Sequence, residues 1–488
     1  MPALLGTLGF LVPFAGSWRP SYWGDEAASV MSAERSIPKL VAMLGNVDAV
    51  HGAYYLGLHF WIELFGASEL STRLPSAIAV GVATAGTFVL ARRLVSTSVA
   101  TVSALVFLML PRVTNMGAEA RSAAIATAVV VWLAVLLLHI LRTSRTSTTA
   151  TRIGLWAGYS ALLALGIYLF LYVLLLIPVF ALFVWLWTPW RPDRRARIRS
   201  WALASTAGVA LATPVIIEAL NQREQIAFIG RRPPTSVLTA AVNQWFGNPS
   251  LAIAAWALVL LAVVLVYAGR GRLAATAQDR AALSVALGWM LVPSATLLIG
   301  TQLISPMYSM RYLSICTPAV AIAVGLGIAR LRPFWAQTGV LMLIALLMAP
   351  TYVAQRGPFG KNEGSDWRQA AAVVQAGALP GDAVVFDESV RPSRKPRLAL
   401  HLYPAAFQGL RDITLSRPFD ATPGLWDLTV PLDWVTERLT GTDRVWVLQY
   451  LGSGQNTSGT DIRTLQSLGF TVMATTTVNR TLIIELAR

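Results

Sequence analysis

The chain has 488 residues, of which 55% are hydrophobic and only 13% are charged, whereas a soluble protein usually carries about 25% charged residues. This composition excludes an ordinary soluble protein and indicates a polytopic membrane protein with length left over for one soluble domain. The formal net charge is +15, but most arginines lie in short loops between apolar segments. In that position they set membrane topology, so we expect no nucleic-acid partner.

About eleven apolar runs have the composition of transmembrane helices. With a hydropathy window of about 19 residues, they fall at about 2–16, 74–91, 98–114, 123–141, 153–169, 172–188, 200–217, 250–268, 281–300, 313–330 and 335–351. Arginines follow every second run, as at Arg92, Arg142, Arg191, Arg270 and Arg330. By the positive-inside rule these loops and the N-terminus are cytoplasmic. The other loops and the tail are then expected outside the cytoplasm.

The apolar segment from Tyr54 to Gly66 does not fit this count. Its length of about 13 residues is below the roughly 20 needed to span a bilayer, and it carries His59 and Glu63. We expect an amphipathic helix that lies at the outer membrane interface with its aromatic rings at headgroup depth. The first outer loop then covers about residues 17–73.

From Tyr352 onward the composition becomes that of a soluble protein. Helical patterns at DWRQAAAVVQAGA and DIRTLQSLG alternate with strand patterns at PGDAVVFDE and DRVWVLQYL, and VMATTT and RTLIIELAR form a closing pair. Such alternation predicts a small α/β domain, without a glycine-rich nucleotide motif. The sequence therefore predicts a transmembrane catalytic domain over residues 1–351 and an extracytoplasmic α/β domain over residues 352–488.

Ionisable residues cluster in the first outer loop, within SYWGDEAASV and NVDAVHGAYY. Asp25 and Glu26 have the pattern of a helix N-terminus. A carboxylate partly desolvated by aromatic walls can also deprotonate an acceptor hydroxyl. Asp48 and His51 fit a hydrogen-bonded pair that orients Asp48 better than a metal site, because the usual ligand spacing is absent. His59 is expected to be structural.

Arginines near other outer helix ends are candidates for binding an anion. Arg121 and Arg311 can snorkel to lipid headgroups, or they can hold the phosphate of a lipid-linked donor with a fork-shaped cation. Arg223, Arg231 and Arg232 lie in a long polar loop after the seventh span and can do the same. The candidate substrate-binding residues are His51, Tyr54, Tyr55, Glu119, Arg121, Arg223, Arg231, Tyr308, Arg311 and Tyr312.

Four motifs between residues 18 and 125 together resemble the GT-C fold glycosyltransferases: GDEA, D-x-x-H-G-x-Y-Y, LFGxSE followed by RLPSA, and EAR. Within that fold they are similar to the branch of protein O-mannosyltransferases and the aminoarabinose transferase, in its actinobacterial envelope type. The resemblance implies inverting transfer of a sugar, with mannose favoured, from a polyprenyl-phosphate donor to an envelope glycan, glycolipid or protein on the outer face. It implies that Asp25 is the catalytic base, with Glu26 and Asp48 as further catalytic carboxylates.

Two other interpretations stay open at this point, a lipid-linked oligosaccharide ligase or arabinosyltransferase and a transporter of lipid-linked sugars. Transporters often show internal repeats and broken helices near the midplane. Here no repeat is visible, and the polar residues concentrate in the outer loops. Oligosaccharyltransferase relatives carry a DxD metal signature that this chain lacks, so metal-independent chemistry without a cofactor is expected. The expected partners are the donor, the acceptor and membrane lipids.

Overall fold

The computed structural model describes residues 1–143, 148–188, 193–231, 235–269, 275–452 and 459–488. The chain divides into two compact units. The first, here called the helical unit, comprises residues 1–15, 48–54 and 73–353. The second, here called the sheet unit, comprises residues 16–47, 55–72 and 354–488. Two segments of the predicted first outer loop therefore fold together with the C-terminal residues, while the predicted domain boundary after residue 351 stays a prediction.

Helices make up most of the chain. In chain order the α-helices are α1 (Pro2–Phe14), α2 (Gly24–Ala33), α3 (Ile37–Leu44), α4 (Gly52–Phe65), α5 (Glu69–Leu94), α6 (Thr97–Met109), α7 (Pro111–Met116), α8 (Ala123–Thr143), α9 (Thr149–Leu169), α10 (Ile177–Trp187), α11 (Asp193–Leu211), α12 (Thr213–Asn221), α13 (Val237–Asn243), α14 (Pro249–Tyr267), α15 (Ala277–Leu303), α16 (Thr317–Ile328), α17 (Phe334–Ala354), α18 (Trp367–Gly377), α19 (Leu398–Leu402) and α20 (Thr460–Ser467).

All eleven predicted apolar runs contain helix. Within the described residues, seven helices are long and apolar enough to cross a membrane. They are α5, α8, α9, α14, α15, α17 and the helix of residues Met310–Ile328 that includes α16. The pair α11 and α12, bent by 54° where Pro214 starts a new helix, would make an eighth. Three further apolar helices are shorter, namely α1, α6 and Leu171–Trp187. The chain is therefore a multi-pass membrane protein.

Glycines allow α16 to approach its neighbours closely. A Cβ on Gly325 would lie 2.3 Å from Oγ of Ser103 on α6, and a Cβ on Gly327 would lie 2.2 Å from the carbonyl oxygen of Leu258 on α14. Small residues at such crossings let helix backbones pack tightly inside a membrane. Every residue of α16 is buried. This rigid helix directly follows the 3-10 segment Met310–Cys316, which carries two predicted site residues.

Two irregular stretches of the helical unit bear on the predictions. The fifth and sixth apolar runs are separated by a break near Leu171, since α9 ends at Leu169 and the 3-10 segment Leu171–Leu176 precedes α10. The stretch after the seventh run, predicted as a polar loop, instead forms α12, a 3-10 segment over Arg223–Arg231 and α13. Ser236 caps α13 by accepting a hydrogen bond from the Thr239 amide, a helix start that loop composition alone conceals.

The sheet unit contains the α/β fold predicted for the C-terminal part. Its strands are β1 (Ala383–Phe386), β2 (Arg411–Asp412), β3 (Leu415–Arg417), β4 (Leu428–Thr429), β5 (Arg444–Tyr450), β6 (Thr471–Thr477) and β7 (Thr481–Ala487). Five of them form a sheet in the order β2-β1-β5-β7-β6. Strand β1 is parallel to β2 and β5, and β7 is antiparallel to β5 and β6. The short pair of β3 and β4 was not predicted.

The alternation of side chains along the strands creates two apolar clusters. Val384 and Phe386 of β1 belong to one cluster, and Ala383 and Val385 belong to the other. The first cluster also contains residues of the first outer loop, namely Tyr22, Ala27, Val30 and Met31. Helix α2 is thus part of the core of the sheet unit, which fixes the element that carries Asp25 and Glu26.

Candidate active site

The predicted acidic pair lies in the first turn of α2, here called the acidic turn (residues 24–26). Carboxylates are favoured there by the unsatisfied amides and the dipole of the helix N-terminus. The two side chains differ in environment. Glu26 is fully buried, with Oε1 3.9 Å from Nζ of the buried Lys361, whereas Asp25 is partly exposed. Asp25 is therefore the carboxylate of the pair that is accessible to solvent.

Gly24 brings the acidic turn into direct contact with another segment. A Cβ at this position would lie only 2.3 Å from the carbonyl oxygen of Ser393. Ser393 is the middle residue of the short 3-10 turn Pro392–Arg394. Only glycine allows the two backbone segments to pack so closely, which explains why the GDEA motif begins with glycine.

The segment that leads into α2 is fixed by distant residues. The Tyr22 amide donates to Oη of Tyr403 over 3.1 Å, and the Tyr22 carbonyl accepts from Oγ of Ser365 over 2.5 Å. The Tyr22 hydroxyl donates to the carbonyl of Ala67 over 2.7 Å. Tyr22 is fully buried. The entry to the acidic turn is therefore held at both its backbone and its ring.

Asp48 lies in a tight turn of the helical unit. Its backbone is left-handed, with φ of 58°, a conformation that Asp tolerates better than most residues. The Asp48 amide donates to Oε1 of Gln225 over 3.1 Å, and the next amide, of Ala49, donates to Oε1 of Gln222 over 3.0 Å. Two glutamine side chains thus hold this turn in place.

His51 contacts an arginine that was not predicted as its partner. Nη2 of Arg121 donates to Nε2 of His51 over 2.9 Å. Because a guanidinium can only donate, the imidazole is neutral and carries its proton on Nδ1. Burial, and then the charge of Arg121, holds the pKa of His51 well below its usual value. His51 therefore orients a cation, and the predicted pairing of His51 with Asp48 stays a prediction.

Arg112, which was not among the predicted site residues, is clamped at the start of α7. Its Nε donates to the carbonyl of Gln244 over 2.9 Å and its Nη2 to the carbonyl of Asn243 over 3.3 Å. Its amide donates to the carbonyl of Trp245 over 3.2 Å. A guanidinium held on two backbone carbonyls has one fixed orientation.

Arg112 belongs to an electrostatic cluster with three predicted residues. Burial, and next the charge of Arg311, lowers the pKa of Arg112 to about 10, while Glu119 and Tyr308 act in the opposite direction. Tyr308 donates its hydroxyl proton to Oε1 of Gln244 over 2.8 Å, and burial raises the pKa of Tyr308 to about 12. Arg112 and Arg311 together are here called the arginine pair. Because the charge of Arg311 disfavours the charge of Arg112, an anion close to Arg112 would offset this effect.

Three of the remaining candidates are tyrosines with different surroundings. Tyr54 and Tyr55 are buried on α4. Tyr312 stacks on Tyr172, with ring centroids 4.4 Å apart. On the same helix α4, His59 donates from Nδ1 to the Ala33 carbonyl over 2.7 Å, which fits the structural role expected for it.

Three arginines that were predicted as anion-binding candidates follow α12 in the chain. Arg223 begins the 3-10 segment Arg223–Arg231 and is exposed. The side chain of Arg231 and the whole of Arg232 lie outside the described residues. In the ranges that the structure describes, no group of three or more His, Cys, Asp or Glu side chains is arranged to hold a metal ion.

Residues 53–217 match the sequence model of a family described as dolichyl-phosphate-mannose-protein mannosyltransferase. The chain is also similar in structure to ArnT from Cupriavidus metallidurans in the apo state, with 13% identity and a TM-score of 0.60 over 99% of this chain and 97% of that chain. ArnT bound to undecaprenyl phosphate gives 14% identity and a TM-score of 0.60 over the same shares. The apo oligosaccharyltransferase of Archaeoglobus fulgidus gives 12% identity and a TM-score of 0.50 over 91% of this chain and 69% of that chain. Among curated protein sequences none matches significantly.

The chain is therefore a multi-pass membrane glycosyltransferase. It has the GT-C fold of ArnT, and residues 53–217 match the protein mannosyltransferase family model. The resemblance predicted from the four motifs between residues 18 and 125 is confirmed.

Proposed function

We propose that this chain transfers a sugar, with mannose favoured, from a polyprenyl-phosphate carrier to an envelope glycan, glycolipid or protein on the outer face of the membrane. The observation that carries the proposal is the match of residues 53–217 to a family whose description names dolichyl-phosphate-mannose. The likeness to ArnT, solved with undecaprenyl phosphate, supports the same class of carrier. The outer location rests on the arginine-rich loops, which the positive-inside rule assigns to the cytoplasm.

Asp25 is the general base of the proposed reaction. The acceptor oxygen forms a bond to C1 of the sugar from the face opposite the phosphate, and the carboxylate of Asp25 takes the hydroxyl proton. The C1–oxygen bond breaks at the same time, and its electron pair leaves with the polyprenyl phosphate, so the anomeric configuration inverts. The partial exposure of Asp25, beside a fully buried Glu26, supports this assignment. A positioned base contributes roughly 10²–10⁴ in rate.

The arginine pair of Arg112 and Arg311 is proposed to bind the donor phosphate. A polyprenyl-phosphate sugar is a phosphodiester, and its phosphate gains negative charge as the bond to the sugar breaks. Fixed cations aimed at such developing charge stabilise the transition state more than the ground state. The fixed orientation of the Arg112 guanidinium and the electrostatic influence of Arg311 on it support this role. Arg121, oriented by the neutral His51, is proposed to assist.

The proposal is tested in membranes that contain the protein and a radiolabelled polyprenyl-phosphate mannose. We expect label in a larger product with the wild type, and its loss with Asp25→Asn while the donor is still bound. Label that becomes protected from external enzymes without a new covalent bond would favour the transporter instead. Glycan analysis of a deletion strain identifies the sugar, and the loss of an arabinose linkage in place of a mannose linkage would overturn the choice of mannose.

A further inference from the structure

A polar network in the sheet unit restrains residues 18–23, which precede α2 and are here called the approach. The Tyr403 hydroxyl is its centre, since it accepts from the Tyr22 amide over 3.1 Å and donates to Oε1 of Glu69 over 2.6 Å. The same Glu69 oxygen accepts from Nε of Arg368 over 2.9 Å. These four residues are here called the Tyr403 network. Burial, and then the charge of Glu69, raises the pKa of Tyr403, so this hydroxyl stays a neutral donor.

Arg368, a member of this network, also contacts the approach at three further points. Nη1 of Arg368 donates to the carbonyl of Arg19 over 3.0 Å, and its Nη2 donates to the carbonyl of Trp18 over 2.7 Å. The Arg368 amide donates to Oγ of Ser21 over 3.1 Å. Together with the bond to the Tyr22 amide, these contacts restrain the approach from Trp18 to Tyr22. A backbone restrained at that many points has little freedom to shift.

Only a short backbone segment separates the restrained Tyr22 from Asp25. Tyr22 is followed by Trp23, whose carbonyl accepts the first bond of α2 from the Ala27 amide over 2.9 Å. Asp25 is then the second residue of the helix. A displacement of Tyr22 is therefore passed to the acidic turn, while the far end of α2 stays fixed by Val30 in the apolar core.

We infer that Tyr403 is a positioning residue for the transfer reaction, because its hydroxyl sets the entry of α2 and so the place at which Asp25 meets the acceptor. This inference rests on the proposed function of Asp25 as base. It also gives the C-terminal part of the chain a role in catalysis that involves no contact with the reacting atoms. Since a misplacement of about 1 Å can cost on the order of 10²-fold in rate, Tyr403→Phe is expected to lower kcat by about tenfold or more.

The test uses the purified full chain in lipid nanodiscs, with Tyr403→Phe, Asp25→Asn and the control Tyr450→Phe. Tyr450 lies in the same unit, and phenylalanine keeps the ring that faces Arg480. The donor is a radiolabelled polyprenyl-phosphate sugar that carries the sugar missing from the deletion strain, and envelope membranes of that strain supply the acceptor. Rates are divided by the number of sites that bind polyprenyl phosphate, so a loss of folded protein does not lower the corrected kcat.

We expect Tyr403→Phe to lower the corrected kcat by about tenfold or more, with the donor KM within about twofold, and Tyr450→Phe to keep the wild-type value. A wild-type kcat for Tyr403→Phe beside an inactive Asp25→Asn would overturn the positioning role and leave the base in place. A fully active Asp25→Asn would overturn the base itself.

If Tyr403→Phe does not fold, Glu69→Gln decides the matter. Glutamine still accepts a hydrogen bond from Tyr403 but lacks the charge that makes the bonds to Tyr403 and Arg368 strong. We then expect a corrected kcat about threefold below the wild type, since the network is weakened and not removed. A wild-type kcat in Glu69→Gln would overturn the inference in that case.

Discussion

Arg121 donates a hydrogen bond to Nε2 of His51 over 2.9 Å, although 70 positions separate the two residues in the chain. The bond requires an unprotonated Nε2, because both partners would otherwise be donors. This contact links the turn after Asp48 to the segment that follows α7, and it sets the tautomer of the ring.

The His51 contact predicts a pH-dependent stability. Because the folded state lowers the pKa of His51 below 6.5, the unfolded chain binds the proton first as the pH falls. The contribution of the neutral His51 to the stability of the folded protein is therefore fully present above pH 6.5 and is lost as the pH falls below it. When the pH falls from 7.5 to 5.5, the free energy of unfolding of the wild type should decrease by up to about 1.4 kcal/mol more than that of His51→Gln. Denaturant unfolding of both proteins at the two pH values measures this, and equal losses would contradict it.

The two carboxylates of the acidic turn should respond in opposite ways to loss of charge. Asp25→Asn is expected to lower transfer by roughly 10²–10⁴ with little change in stability, because the side chain is partly exposed. Glu26→Gln removes the charge beside the buried Lys361 and should destabilise the protein by about 1–3 kcal/mol. Transfer rates and unfolding curves of the two matched variants separate the roles. A stable, inactive Glu26→Gln beside an active Asp25→Asn would reverse the assignment.

The arginine pair should govern donor affinity. Arg311→Gln removes charge-assisted hydrogen bonds worth about 1.5–3 kcal/mol each, so the Kd for polyprenyl phosphate should rise by about tenfold or more. Arg152→Gln is a matched control, because Arg152 is an exposed arginine of α9 that contacts Thr149. Binding of radiolabelled polyprenyl phosphate to the purified proteins provides the measurement. The phosphate role fails if both variants bind like the wild type.

Gly24 should tolerate no side chain. Gly24→Ala places a Cβ 2.3 Å from the Ser393 carbonyl oxygen, so the backbone must shift, at a cost of about 1–3 kcal/mol. The matched control is Gly57→Ala on α4, where a Cβ meets nothing within 4 Å and where alanine is expected to stabilise the helix by about 0.5–1 kcal/mol. Melting temperatures of both variants test the contact. Equal stability of the two would show that Ser393 does not approach Gly24 so closely.

The elements with a strong physical signal were predictable from the sequence. Membrane-crossing helices require long apolar runs, and each of the eleven predicted runs contains helix, although only seven of the described helices, or eight with the bent pair, are long enough to cross. The closing hairpin of β6 and β7 was predicted because β-branched residues cluster there. Strands β2 to β4 were missed, since they have two or three residues each and stand among prolines and charges. Strands of that length have no periodicity to detect.

The candidate site was predictable only where its residues are neighbours in sequence. GDEA among aromatic residues identified Asp25 and Glu26, but which of the two is buried depends on Lys361, more than 300 positions away. Arg112 was visible near the end of the third apolar run, yet the carbonyls that hold its guanidinium belong to residues 243–244. Tyr403 gave no signal at all, because it stands 381 positions from the amide that it binds.

The composition of the sheet unit has a consequence for the order of biosynthesis. Its residues 16–47 and 55–72 are made well before their partners in residues 354–488. At about 5–20 residues per second, translation of the intervening residues 73–353 takes on the order of tens of seconds. The acidic turn thus lacks its packing partners until residues 354–488 have been made, so the helices of residues 73–353 are synthesised before the acidic turn can pack into the sheet unit.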